Sequence, residues 1–163
     1  MKLRRRQFDL RRAFSLIEVV IAVIVLAIAV PPTLNMMDSA GAGRVDAINT
    51  TRATLMATSV METVLADITS SNENLGFEAL DDTNAYLRYP NEGLYFRLSS
   101  ALEPYTRVGL NYTVDISDLV SQDGTISEDE SDNIFRVITV RVSFQSASTA
   151  SYEVPMSTIV SAL

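Results

Sequence analysis

The hydrophobic pattern of this chain begins with one long apolar run. Residues 14–30 read FSLIEVVIAVIVLAIAV, in which only Ser15 and Glu18 are not apolar. As a helix, these seventeen residues extend about 25 Å, because each residue adds about 1.5 Å. That length is near the lower limit for crossing a bilayer. The run therefore predicts a membrane-spanning helix, which we assign to residues 14–32.

The pattern then becomes that of an amphipathic helix, assigned to residues 33–70. Pro31 and Pro32 predict a kink or break, because proline lacks the helix donor and clashes with the preceding turn. Gly41 and Gly43 predict a second weak point that is flexible or partly unwound. Beyond them, apolar positions recur at spacings of three and four, which indicates one buried stripe. The stripe consists of Ala53, Met56, Ala57, Val60, Met61, Val64 and Ile68.

The period changes to two in residues 71–163, as is typical of half-buried strands. The predicted strands are residues 94–98, 110–116, 136–144 and 152–160. We expect the last two to form an antiparallel hairpin, with Pro155 placing its strand at an edge because it has no ladder donor. A one-striped helix and a one-faced sheet complete each other. The predicted fold class is therefore α+β, with a long N-terminal helix packed on a small antiparallel sheet.

Composition restricts the function classes. The 163 residues include no cysteine and no histidine. Thiol nucleophiles, histidine acid–base catalysis and nearly all zinc sites are thereby excluded from this chain. A membrane-tethered hydrolase that uses paired carboxylates such as Asp81 and Asp82 is one alternative class, but nothing distinguishes these two acids from solvated loop residues. We therefore expect a protein that is not an enzyme.

Charge divides the chain into a basic front and an acidic remainder. Residues 1–13 hold six basic side chains against one acid, whereas residues 14–163 hold seven arginines and nineteen acids. The bias of basic residues toward the cytoplasmic side predicts a single-pass inner-membrane protein with a cytoplasmic N-terminus and a periplasmic head. No nucleic-acid partner is expected, because phosphate attraction supplies most of that affinity and the head is acidic.

Glu18 separates three interpretations of the apolar run. A carboxylate central to a membrane segment costs about 2.5 to 3.5 kcal/mol, and neither a plain anchor nor a signal peptide gains anything from it. Nevertheless, Ala27-Ile28-Ala29 fits a signal-peptidase site, and Arg5-Arg6-Gln7-Phe8 looks like part of a twin-arginine signal. An exported periplasmic binding protein with a cleaved or uncleaved signal sequence therefore remains an alternative function.

A specific resemblance favours the third interpretation of the apolar run, in which a short leader is removed and the helix assembles with others. Arg11-Arg12-Ala13-Phe14-Ser15-Leu16-Ile17-Glu18 resembles the cleavage and methylation motif of type IV prepilins and type II secretion pseudopilins. A basic leader, a small residue, Phe, a hydroxyl residue, two aliphatic residues and Glu stand in the family's order before an apolar helix. One departure is Ala13, where the family usually has Gly. The order of long helix and then sheet is also similar to the pilin architecture.

The resemblance implies processing at the start of the helix. A prepilin peptidase would cut between Ala13 and Phe14, and the new amine of Phe14 would be N-methylated. Residues 1–13, with Arg11 and Arg12 nearest the cut, would be the cytoplasmic leader. The peptidase, other pilin or pseudopilin subunits and inner-membrane lipid are the implied partners.

The resemblance also implies a structural function. Glu18 would compensate the terminal amine of a neighbouring subunit, since an ammonium and a carboxylate in an apolar bundle cost less together than apart. The simpler interpretation is that the helix dipole favours an acid in the first turn. Leu16 and Ile17 would pack in the assembled bundle. The small head and closing hairpin look most like those of minor pseudopilin I or minor pilin V proteins.

One acidic loop is a weak calcium candidate. Residues 119–130 overlay the later half of a calcium-binding loop, with Gly124 at the turn. However, Leu119 stands where the first oxygen ligand is required. We therefore favour a turn at residues 122–124 followed by a solvated loop, and expect no cofactor. The candidate calcium ligands are Asp123, Glu128 and Glu130, with Asp129 and Asp132 beside them.

Overall fold

The computed structural model describes residues 15–72, 74–146 and 150–162 of the chain. The helices are α1 (Leu16–Ile68), α2 (Thr83–Arg88) and α3 (Leu94–Thr106), and the strands are β1 (Asn111–Ile116), β2 (Phe135–Gln145) and β3 (Ser151–Ser161). Two short 3-10 helices occupy Glu78–Asp81 and Glu130–Asp132. The chain divides into two compact units, Met1–Gly41 and Ala42–Leu163.

In the first unit, α1 continues through both prolines, so the break predicted there is wrong. Pro31 and Pro32 have no N–H to donate, yet the next residue adds hydrogen bonds of its own. The Thr33 hydroxyl donates to the carbonyls of Ala29 and Val30, at 3.1 and 2.7 Å. These bonds do not replace the two that the prolines lack, because the carbonyls four residues before Pro31 and Pro32 are those of Ala27 and Ile28. A bend of the helix axis at this point stays a prediction.

The glycine-containing segment is also helical. Residues 39–43 are helical without interruption, so the partial unwinding predicted at Gly41 and Gly43 is not seen. A glycine inside a helix raises the free energy of the helix by only about 1 kcal/mol relative to alanine. In a helix of 53 residues the turns on either side are already formed, so the helix continues through the glycines.

The second unit contains a three-stranded antiparallel sheet in the order β1-β2-β3. The register pairs Val114 of β1 with Val140 of β2, and Val140 with Met156 of β3. Pro155 lies in β3, which is an edge strand, so the predicted hairpin and the predicted edge position of this proline are confirmed. The strand predicted at residues 110–116 is confirmed as β1.

The stripe of α1 and one face of the sheet form the core of this unit. Six of the seven predicted stripe residues are buried, and Ile68 is partly buried. On β2, alternate residues are buried, which matches the prediction. The α+β fold class is therefore confirmed. The fully buried side chains shared by helix and sheet include Met56, Val60, Val64, Ile138, Val140 and Val142.

The strand predicted at residues 94–98 is wrong, because this segment begins α3. Leu94, Leu98 and Leu102 are all buried, whereas Phe96 is 55% exposed. Spacings of two and four cannot be told apart over five residues, and the third leucine shows that the repeat is helical. Gly93 lies directly before the helix. Only glycine fits there, because an added Cβ would lie 2.6 Å from the backbone nitrogen of Tyr89.

Candidate functional site

The first part of α1 is apolar around its whole circumference. The large apolar side chains from Leu16 to Val30 are all between 44% and 83% exposed. A helix without a polar face requires an apolar environment on every side. This helix is long and apolar enough to cross a membrane. The rest of the described chain leaves residues 16–30 uncovered.

The polar groups at the start of this helix form an N-cap. The carbonyl of Ser15 accepts from the backbone N–H groups of Glu18 and Val19, at 3.0 and 3.3 Å. The Ser15 Oγ accepts from the Glu18 N–H at 3.3 Å. The Glu18 N–H is therefore shared between the carbonyl and the hydroxyl of Ser15, a bifurcated arrangement that is common at helix termini. Ser15 thus marks the boundary of α1.

The predicted assembly residues lie together in the first turn. Leu16, Ile17 and Glu18 are consecutive and exposed, and Glu18 is an acid in the first turn, where the helix dipole favours negative charge. The predicted leader and cleavage residues lie outside the described part of the chain. These residues are Arg11, Arg12, Ala13 and Phe14.

The head contains an ionic cluster that the sequence reasoning missed. Asp67, at the end of the α1 stripe, is 6% exposed. Its two carboxylate oxygens accept from the two Nη atoms of Arg97 at 2.7 and 2.6 Å, and Oδ2 also accepts from the Tyr86 hydroxyl at 2.7 Å. A signal was present, since Asp67 stands on the apolar stripe, where an acid requires a partner.

This cluster raises the pKa values of Tyr86 and Arg97. Burial, followed by the hydrogen bond to Asp67, raises the pKa of the Tyr86 phenol above its ordinary value. The hydrogen bond to Asp67 likewise raises the pKa of Arg97. The phenol therefore stays neutral and the guanidinium stays charged. The cluster joins α1, α2 and α3 and has the chemistry of a structural tie.

The paired carboxylates considered for hydrolysis have structural contacts. Asp81 forms an ion pair with Arg136, which lies buried on the core face of β2. The same guanidinium donates to the Ser117 carbonyl at 2.8 Å. Asp82 caps α2, since its Oδ1 accepts from the Ala85 N–H at 2.9 Å. The two acids thus stabilise two different elements.

A groove opens beside the ionic cluster. Its volume is about 790 Å³, and its lining includes Tyr86, Tyr89, Glu92 and Arg97. Tyr89 is 58% exposed. The groove is therefore accessible, and it combines aromatic, acidic and basic groups. It is a surface of the described head on which a binding function would rest.

The loop after β1 has the predicted turn at Asp123. One oxygen of this carboxylate accepts from the hydroxyls of Ser121 and Thr125, at 2.6 and 2.7 Å, and from the Thr125 N–H at 2.9 Å. These bonds, the one from Ser121 first, lower the pKa of Asp123 to about 2. Gly124 has a φ of +82°, which the turn requires and which a glycine adopts without strain. The loop thus satisfies this carboxylate with its own donors.

The other calcium candidates are held separately. Asp129 accepts from the N–H and hydroxyl of Ser131, at 3.0 and 2.7 Å, and these bonds lower its pKa. Glu128 and Glu130 flank it. Within residues 15–72, 74–146 and 150–162, no three acidic, cysteine or histidine side chains gather closely enough to hold a metal ion. Calcium binding stays a prediction.

The fold and the first turn of α1 together define a class: an α+β head on an N-terminal helix suited to a membrane. Residues 9–30 match the family model of the prokaryotic N-terminal methylation motif. The match spans the predicted cleavage residues, Glu18 and the apolar run, and confirms the resemblance to the type IV pilin and pseudopilin family. No curated protein and no solved structure matches the chain. The motif supports a processed subunit of the pilin or pseudopilin type.

Proposed function

We propose that the protein is a structural minor subunit of a type IV pilus or a type II secretion pseudopilus. A prepilin peptidase processes it, and it assembles through its N-terminal helix. The observation that carries the proposal is Glu18, a carboxylate in the first turn of an exposed apolar helix, inside the methylation motif. The small head is consistent with a minor pseudopilin I or minor pilin V type.

Processing comes first in the proposed sequence of events. The basic residues 1–13 hold the N-terminus in the cytoplasm, and the apolar run crosses the inner membrane with the head in the periplasm. Cleavage between Ala13 and Phe14 creates a positively charged amine at the new terminus. N-methylation of Phe14 leaves that positive charge in place, because a methylated amine is still protonated at neutral pH.

Assembly follows from the cost of leaving two groups unpaired. Among the described residues, the Glu18 carboxylate has no ion pair. In a bundle of apolar helices that carboxylate and a neighbour's Phe14 ammonium are each expensive alone. Pairing them removes both costs at once and sets the stagger between subunits. Neighbouring helices then cover the apolar circumference of residues 16–30.

The experiment is intact-mass analysis of the protein purified from its native membrane, with sequencing of the N-terminus. A chain that starts at N-methylated Phe14 is the expected result. A chain that starts at Val30 contradicts the proposal and indicates a signal peptide cut after Ala29. A chain that still carries residues 1–13 contradicts it as well and indicates a plain anchor.

The alternative is an exported periplasmic binding protein, and the groove beside Tyr86 and Tyr89 is the observation that favours it. In that case the N-terminal segment only targets or anchors the head. The same mass measurement separates the two functions, since a binding protein has no need of a methylated Phe14. The groove also exists in a pilin head, so its presence alone does not decide.

A further inference from the structure

Three large apolar side chains are exposed on the loop of residues 117–134, between β1 and β2. Ile126 is 74% exposed, Ile134 is 53% exposed and Leu119 is 40% exposed. Single exposed apolar residues are ordinary on a protein surface, whereas several that lie together mark an interaction site. The contacts that join these three residues therefore matter.

Two bridges across the loop bring the three residues to one stretch of surface. In the first, Val120 and Phe135 exchange backbone hydrogen bonds of 2.7 and 2.9 Å. Val120 is buried. Because side chains alternate between the two faces of an extended segment, the adjoining Leu119 and Ile134 share the opposite, outer face.

The second bridge adds Ile126. The backbone N–H of Ser127 donates to the Oδ1 of Asn133 at 2.8 Å, and the Nδ2 of Asn133 donates to the Ser127 carbonyl at 3.0 Å. Ile126 and Ile134 directly adjoin this bridge, one on each segment. The three exposed residues Leu119, Ile126 and Ile134 thus form one apolar area, which we call the loop patch.

The loop is held by its own hydrogen bonds. The Ser121 N–H donates to the Thr125 carbonyl at 2.8 Å, and the Gly124 N–H donates to the Ser121 carbonyl at 2.9 Å. Asp123 accepts further bonds from Ser121 and Thr125 within the same turn. A surface that is already ordered loses less conformational entropy when a partner binds.

The charge of the loop restricts the partner. Residues 117–134 hold six acids and no basic residue. None of the six has an ion pair within the described part of the chain. Complementary charges around an apolar centre steer association and oppose like-charged surfaces, so the fitting partner is basic. The six acids are Asp118, Asp123, Glu128, Asp129, Glu130 and Asp132.

A second copy of this chain and a lipid surface both fit the loop patch poorly. Residues 14–163 hold nineteen acids against seven arginines, and four of those arginines are already paired with acids of the same chain. Anionic lipid headgroups would be repelled by the six acids in the same way. The partner that the charges favour is therefore a basic surface of a different protein.

We propose that the loop patch is the docking site for a different protein, whose contact surface has apolar side chains flanked by lysine or arginine. This goes beyond the proposed function, because assembly through α1 does not use the loop.

Photo-crosslinking of the full-length chain in its native membrane tests the proposal. The photoreactive residue p-benzoylphenylalanine replaces Ile126, and after irradiation mass spectrometry identifies the crosslinked peptide. We expect a product with a different protein, through a peptide that has lysine or arginine beside apolar residues. The same photoreactive residue in place of Phe96, which is 55% exposed on α3, should not give this product.

Charge reversal separates specific docking from a chance encounter. Glu128→Lys/Glu130→Lys should reduce the yield of the product about tenfold, because two favourable contacts become repulsive. Glu128→Asp/Glu130→Asp keeps the charge and should keep most of the yield. Glu62→Lys/Glu92→Lys is the matched control, since it changes the net charge equally at exposed acids outside the loop. It should not reduce the yield.

A crosslink to a second copy of this chain, a crosslink to lipid alone, or no crosslink at all overturns the proposal. A yield that is unchanged in Glu128→Lys/Glu130→Lys, or that falls equally in Glu62→Lys/Glu92→Lys, overturns it as well. The mass of the mature N-terminus tests the proposed function separately, so either can fail without the other.

Discussion

The two ends of α1 differ in whether the chain itself covers their apolar side chains. From Ala53 onward, one stripe is apolar, and the sheet of the same chain covers it. From Leu16 to Val30, every side is apolar and exposed. A stripe needs one partner and can find it within the chain, whereas an apolar circumference needs partners all around. The segment from Leu16 to Val30 therefore needs apolar partners that the described part of the chain does not supply.

The acids at these two ends of α1 show the same contrast. Asp67 is buried among apolar residues, and Arg97 and Tyr86 of the same chain satisfy both of its oxygens. Glu18 lies in an apolar segment without an ion pair among the described residues. A carboxylate in apolar surroundings requires a cation. For Glu18 we expect that cation to come from another subunit.

The largest expected effect comes from removing the charge of Glu18. Glu18→Gln should reduce incorporation into filaments by on the order of a hundredfold, because an unpaired ammonium in an apolar bundle costs about 3 kcal/mol. Membrane insertion should be retained, since the apolar run is intact. Immunoblotting of sheared filaments and of membranes measures both quantities.

The control for this change is Asp38→Asn, which removes an exposed acid from the same helix beyond the apolar run. It should be incorporated like the wild type. Normal incorporation of Glu18→Gln would contradict the prediction. It would show that Glu18, like Asp67, needs no cation from another subunit.

The next effect is confined to the head. Ile138 is fully buried on β2, and Ile138→Ala should destabilise the head by about 3 kcal/mol, through lost burial and the cavity left behind. Ile126 is 74% exposed, and Ile126→Ala should change stability by less than about 0.5 kcal/mol. Urea unfolding of the full-length protein in micelles, followed by tyrosine fluorescence, measures both. Equal effects would be incompatible with the described core.

A smaller effect is expected from breaking the internal ion pair. Asp67→Asn leaves Arg97 without its counter-charge and should cost about 2 kcal/mol. The value is below that of a fully buried pair, because the Arg97 side chain is 29% exposed and solvent screens it. Glu103→Gln breaks the exposed pair with Arg107 and should cost about 0.5 kcal/mol or less. Thermal unfolding monitored by near-ultraviolet circular dichroism compares the two variants.

The last effect is absent near neutral pH and appears only under alkaline conditions. Burial raises the pKa of Tyr112 from 10.0 to about 12. Folding therefore favours the neutral phenol, and this stabilisation is complete below pH 10 and is lost as the pH rises toward about 12. Tyr112→Phe should lose less stability over this interval than the wild type. The melting temperature at a series of alkaline pH values checks the difference, and parallel curves would contradict it.

Much of the fold follows from local pattern. The apolar run, the stripe of α1 and the alternation in β1, β2 and β3 each repeat over enough residues to define one period. The strand prediction at residues 94–98 was wrong because five residues fit both the strand period and the helix period. Its helical state depends on the contacts of Leu102 and on the close approach at Gly93, neither of which is visible in a short window.

The candidate site divides in the same way. The methylation motif, the Ser15 N-cap and the position of Glu18 are contiguous in the chain, and their chemistry depends on order and spacing. The sequence by itself thus determined the features on which the proposed assembly rests. The partners of Asp67 lie 19 and 30 residues away, on α2 and α3. Only the tertiary structure decided that pairing, because which cation meets a buried acid depends on how distant segments pack.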